Sequence, residues 1–250
     1  MQIWVDSALF IVAGLASMVD TIAGGGGLMV VPALLLSGLS PAMALGTNKF
    51  QATFGCGMSA GMFVRAGKIS WEDMRIGVYC SFVGASIGTL AILHMHPDFL
   101  KKIIPIVVLL VLIYMLSFKD AGHIERKSRM RYPVFMLVFG SLLGFYDGFF
   151  GPGTGSFWVA LMVALLGWDI KKATMHAKIY NFTSNFISLL WFITFGHIHY
   201  GLGLLLAVSS VLGARIGARL VVTKTTRFIK PIYIIIVLIL FISLMKVNFF

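Results

Sequence analysis

The sequence predicts an all-α, polytopic integral membrane protein with two inverted structural repeats and about 8–10 membrane segments, among them glycine-interrupted short or re-entrant helices. Three observations predict it. The 250 residues are 59% hydrophobic and 12% charged, with a mean hydropathy of +0.95, whereas a water-soluble domain carries roughly 45–50% apolar and about 25% charged residues. Apolar stretches near the roughly 20-residue length of a bilayer-crossing helix recur along the chain. Finally, the second half repeats the first: Asp20, Gly24 and Gly26 recur as Asp147, Gly151 and Gly153 at an offset of 127 residues. After a two-residue insertion, Ala44, Lys49, Gly67, Ile69, Gly84, Ala85, Ile87 and Gly88 recur as Ala173, Lys178, Gly196, Ile198, Gly213, Ala214, Ile216 and Gly217 at an offset of 129.

Taken in order, the apolar segments cover about 6–23, 28–39, 46–64, 76–94 and 101–118, then 133–150, 155–167, 176–195, 200–220 and 228–247. This divides the chain into a first membrane repeat (1–118), a basic cytoplasmic linker (119–132) and a second membrane repeat (133–250). The first segment is preceded by no basic stretch and followed by no small-residue cleavage site, so it reads as structure and not as a signal peptide. The second segment of each half is too short for a straight crossing. It is either a tilted, broken helix or the returning arm of a re-entrant hairpin tipped by a glycine loop.

Loop charges choose between parallel and inverted halves. With an odd number of crossings per half, 15 of the 18 loop Lys and Arg residues share one side; with an even number they divide 9 to 9. The positive-inside bias favours the first, hence inverted halves with both termini outside the cytoplasm. Ten crossings, or six plus two re-entrant hairpins, have the same sidedness. The bias also accounts for the net charge of +11 without a nucleic-acid partner. Cys56 and Cys80 lie in apolar segments without metal-ligand spacing. His94, His96, His197 and His199 lack acidic or cysteine companions, so neither a metal nor a cofactor is expected.

Chemistry concentrates in two paired motifs. Gly24, Gly25, Gly26 and Gly27 in the first half match Gly151, Gly153, Thr154, Gly155 and Ser156 in the second. Irregular backbone at membrane depth needs protein or a watery hollow to satisfy it. Successive glycine N–H groups with a helix starting behind them make a nest for an anion; the alternative is tight packing or a sharp turn. Asp20 and Asp147 precede the loops, and a carboxylate at that depth costs roughly 2.5–3.5 kcal/mol. They are hinge or coupling residues, as proton carriers, or caps for the loop backbone. The second motif opens the third segments: Thr47, Asn48, Lys49 and Gln51, and then His176, Lys178, Asn181 and Asn185. Thr47, His176 and the amides are candidate anion ligands, helix glue being the alternative for the amides, and the lysines supply charge or snorkel to the interface. Gly84-x3-Gly88 and Gly213-x3-Gly217 read as close helix contacts.

Gly24–Gly27 with Pro32 and Gly46-Thr47-Asn48, followed by Gly144-Phe145-Tyr146-Asp147-Gly148-Phe149-Phe150-Gly151-Pro152-Gly153-Thr154-Gly155-Ser156, resembles the TauE/SafE family of sulfite exporters over nearly the whole chain. The resemblance implies a multi-pass permease of the bacterial cell inner membrane for sulfite, sulfoacetate or other sulfur-containing or organic anions. Gly-Pro-Gly-Thr-Gly-Ser stands where many relatives have a glycine run, and His176-Ala177-Lys178 replaces a more neutral segment, so the substrate is not carried over from the family name.

The expectation is therefore a transporter working by alternating access, with a midplane site between inverted repeats and with the small anion and the lipid bilayer as partners. A homo-oligomer is compatible with it. A passive anion channel is the alternative. No clustered Ser/His/Asp or His-Glu-x-x-His arrangement supports an enzyme. A purely structural membrane protein would tolerate bulky residues in both glycine loops.

Overall fold

The computed structural model describes residues 2–67, 69–117 and 127–223. The apolar segment expected at 228–247 and most of the linker expected at 119–132 lie outside the described residues. Within them the secondary structure is helical: α1 (Gln2–Ala23), α2 (Gly27–Leu36), α3 (Pro41–Arg65), α4 (Trp71–Leu93) and α5 (Pro97–Ser117) in the first half. The second half has α6 (Tyr132–Phe135), a π-helical turn (Met136–Gly140) running into α7 (Ser141–Phe149), α8 (Thr154–Leu161) with a second π turn (Met162–Leu166), α9 (Ile170–Thr194) and α10 (Tyr200–Thr223).

Local chemistry sets several boundaries. Pro41 at the start of α3 lacks the N–H that a first helical turn would leave unused. Ser70 Oγ accepts from the Asp73 N–H at 3.3 Å, and Asp169 Oδ1 from the N–H groups of Lys171 and Lys172 at 2.8 and 3.1 Å, capping α4 and α9. Among the described residues, four helices are long and apolar enough to cross a membrane: Ile3–Ala23, Trp71–Leu93, Tyr132–Phe149 and Tyr200–Thr223.

The packing is that of a protein dissolved in lipid. On α10, Leu204, Val208, Leu212 and Ile216 are 60%, 53%, 53% and 52% exposed, an outward stripe at four-residue spacing, while Gly203, Ala207, Ser210, Gly213, Ala214 and Gly217 face inward. On α4, Tyr79, Phe82, Val83 and Ile87 point out, and Ser81, Gly84, Ala85 and Gly88 point in. Lipid tails compete with apolar side chains for contact, so small residues that let backbones approach drive the association instead. Gly84 and Gly88 press on the carbonyls of Ser141 and Phe145, and Gly213 and Gly217 on those of Gly14 and Met18. The two sets correspond at the 127-residue offset. Thus α1 packs along α10 and α4 along α7, each pair parallel, while α3 and α9 fill the centre between them.

The contacts fix which loops share an end. At one end, the Arg129 and Met130 N–H groups donate to Leu165 O at 2.9 and 3.1 Å, Lys171 Nζ reaches Val222 O at 3.1 Å, and Tyr132 stacks on Trp168. At the other, Thr47 Oγ1 accepts from the His199 N–H at 3.1 Å, and the His94 ring packs on Phe195. The 25-residue helices α3 and α9 therefore start at opposite ends and run antiparallel. Spanning about 15 Å at 1.5 Å per residue, α2 cannot cross a roughly 30 Å core. It returns towards the end from which α1 set out, and α8 with its π turn likewise returns to the basic end. Of the two forms left open by the sequence, the described residues adopt the re-entrant hairpin.

Candidate functional site

The two hairpin tips meet. Gly24, with φ of +78°, has no room for a side chain, because a Cβ there would fall on the backbone of Gly155 and Ser156. A Cβ on Gly27 would lie 3.2 Å from Pro152 Cα. Ser156 Oγ donates to Ala23 O across the junction at 2.8 Å, and Tyr146 OH to Pro152 O at 2.7 Å, holding the second loop in shape. Beside this junction lies a cavity of about 40 Å³, counted as the space the centre of a water molecule can reach. At roughly 10–15 Å³ per water it has room for about three waters, or one small oxyanion.

Both halves wall it. From the first half come Asp20, Gly26, Gly27, Asn48, Lys49 and Gln51; from the second come Asp147, Gly151, Gly153, Thr154, Gly155, Asn181 and Asn185. The remaining residues singled out in the sequence stand around it. Gly24 forms the contact between the loops, and Gly25, with φ of +96°, carries the turn beside it. Thr47 braces His199, and Ser156 ties its loop to Ala23. Lys178 sits behind Gly155, its Nζ 3.4 Å from where a Gly155 Cβ would be. His176 turns away: its Nδ1 meets Lys172 O at 2.9 Å and its ring packs on Trp168.

Among the described residues, the N–H groups of Gly27, Gly153 and Gly155 have no protein acceptor. Each lines the cavity, and Gly27 and Gly155 lie in the first turns of α2 and α8, where the helix dipole adds positive potential. Asn181 Oδ1, in a side chain 4% exposed, also lacks a partner. An amide can turn end for end, so Asn181 can present either a donor or an acceptor to whatever occupies the space.

The charged groups form two ion pairs, each joining one half to the other. Lys49 Nζ lies 2.8 Å from Asp147 Oδ1 and also donates to Asp147 O, while Ser184 Oγ donates to Asp147 Oδ2. Lys178 Nζ lies 2.6 Å from Asp20 Oδ2, and Asp20 Oδ1 accepts the Gly26 N–H at 3.0 Å. The lysine side chains are each 1% exposed, the aspartates 3% and 20%. Each lysine is the ninth residue of its helix, about 12 Å from its start. Since the two helices run antiparallel, the lysines approach the centre from opposite ends. A lysine at that depth cannot reach water at the helix end, so it is paired instead.

Sequence reasoning passed over Ala16, Ser17, Ala52 and Cys56, which also line the cavity. Cys56 Sγ lies 3.7 Å from Asp20 Oδ2. The signal for Ala52 and Cys56 was their spacing of three and seven residues from Lys49, which puts them on one face of α3. Small size disguised them.

Residues 9–244 match the family described as Sulfite exporter TauE/SafE. The chain is 42% identical over 228 residues to "Probable membrane transporter protein YfcA" of Escherichia coli (strain K12), covering 91% of this chain and 85% of that one. It is 42% identical over 237 residues to a "Probable membrane transporter protein" of Haemophilus influenzae, covering 94% and 93%. It is 38% identical over 237 residues to "Probable membrane transporter protein ORF9" of Sinorhizobium sp, covering 95% and 91%. No solved structure matches the chain. The chain is a multi-pass membrane transporter and belongs to the sulfite exporter TauE/SafE family.

Proposed function

We propose that the protein carries a small sulfur-containing or organic oxyanion across the bacterial inner membrane by alternating access, with one site at the junction of two inverted repeats. The observation that carries this reading is the cavity walled by both halves and lined by Gly27, Gly153 and Gly155, whose N–H groups have no acceptor among the described residues. Backbone donors at the helix starts stabilise an anion, and the space limits it to about four or five non-hydrogen atoms. The family name, which says sulfite exporter, puts sulfite and simple sulfonates first among candidates.

Inversion of the repeats is supported by the reciprocal contacts. The first helix of each half packs on the fourth of the other, and each third-helix lysine pairs with the other half's aspartate. Rocking one half against the other would remake these contacts in mirrored order and expose the site to each side in turn.

The test is counterflow in proteoliposomes preloaded with sulfite or methanesulfonate. Stimulation of labelled anion entry by the same anion inside supports a carrier. Flux without such stimulation points to a passive channel and overturns alternating access. No flux of any small oxyanion overturns the whole reading.

A further inference from the structure

The four ionised groups around the cavity sum to zero formal charge: Lys49 and Lys178 against Asp20 and Asp147. An anion entering with both pairs intact would leave an unbalanced negative charge in a low-dielectric space, a desolvation penalty that the loop donors only partly offset. A proton on one aspartate restores neutrality and frees one ammonium for the anion.

Geometry distinguishes the two aspartates. Asp147 is locked: Lys49 donates to both its carboxylate and its backbone carbonyl, its second oxygen takes the Ser184 hydroxyl, and its side chain is 3% exposed. Asp20 is looser. Its side chain is 20% exposed, it lines the cavity, and among the described residues its Oδ2 is the only acceptor that Lys178 Nζ has. Gly155, lacking a side chain, leaves the path from Lys178 Nζ to the cavity short. The titratable groups facing Asp20 are Lys178 from α9 and the Cys56 thiol from α3, with the Lys49–Asp147 pair across the cavity. Neither α2 nor α8 carries a titratable side chain, and Arg215 and Arg219 of α10 are exposed.

We propose that the anion is bound together with one proton, that Asp20 takes the proton, and that Lys178, released from Asp20, becomes the cationic ligand of the anion. This rests on the anion-carrier reading and adds its coupling ion. The proton comes from the side on which the anion binds and leaves with it, returning Lys178 to Asp20.

Methanesulfonate tests it, because this anion of a strong acid keeps one charge across the working pH range. For the purified wild type, binding should take up one proton per anion from weakly buffered solution. Affinity should tighten about tenfold per unit fall in pH while Asp20 is ionised in the free protein. A protonated-carboxyl infrared band should appear on binding and be absent from Asp20→Asn, whose affinity should no longer follow pH.

Methanesulfonate binding to the wild type without proton uptake overturns the proposal and leaves the carrier reading standing. Proton uptake that persists in Asp20→Asn overturns the assignment to Asp20. Should Asp20→Asn fail to fold, the proton count and the infrared band of the wild type decide. If neither methanesulfonate nor sulfite binds, the carrier reading and this proposal fall together.

Discussion

Removing one member of the Lys49–Asp147 pair should cost far more than removing both. Asp147→Asn preserves shape and can still accept the Ser184 hydroxyl, but it leaves the Lys49 ammonium, in a side chain 1% exposed, without its counter-charge. A buried ion deprived of its partner costs about 3–5 kcal/mol, and Lys49→Met strands the Asp147 carboxylate at similar cost. The double variant Lys49→Met/Asp147→Asn buries no unpaired charge and loses about 1–3 kcal/mol, the penalty of an amide with fewer partners. The coupling, by which the two singles together exceed the double, should be at least about 3 kcal/mol. Equilibrium unfolding in detergent of the wild type, both singles and the double measures it. Singles each costing under about 1 kcal/mol, or a double as unstable as the sum of the singles, would refute the claim that these charges are buried and mutually dependent.

Gly24→Ala should destabilise the protein by about 2–5 kcal/mol, combining a left-handed backbone with a clash on Gly155 and Ser156. Gly61→Ala, with nothing within 4 Å of the new Cβ, should stay within about 1 kcal/mol of wild type in the same unfolding assay. Leu212→Arg, on the outward stripe near the middle of α10, should cost about 2.5–3.5 kcal/mol of insertion free energy, read as lost membrane-inserted yield.

The course of the chain was largely legible, because hydropathy, segment length and loop charge each report a constraint the bilayer imposes residue by residue. The inward role of Gly84, Gly88, Gly213 and Gly217 followed from small-residue spacing alone. The choice between a broken span and a re-entrant hairpin did not, since α2 has the same length and composition in both. The contacts of its ends decide it. In the site, Asn48, Gln51, Asn181 and Asn185 stood out because amides are rare in apolar helices, and all four line the cavity. The pairing of Lys49 with Asp147 and of Lys178 with Asp20 was hidden. Each partner is 98 or 158 residues away, and no local pattern encodes which half supplies it. His176 drew notice as a polar residue beside Lys178, but two positions along a helix is a rotation of about 200°, which turns it to the opposite face.

The crossed ion pairs have a corollary for descent. Each half carries one donor and one acceptor of the same two bonds, and neither can close them within itself as they are closed here. A contact in which i meets j′ and j meets i′ is the signature of a two-fold dimer interface. On the proposed inversion of the repeats, one ancestral half inserted in both orientations would have held both sides of this bond, and fusion of two copies would then have freed the polar lining to diverge, Ala52 against Asn181 and Cys56 against Asn185, while the charges stayed matched.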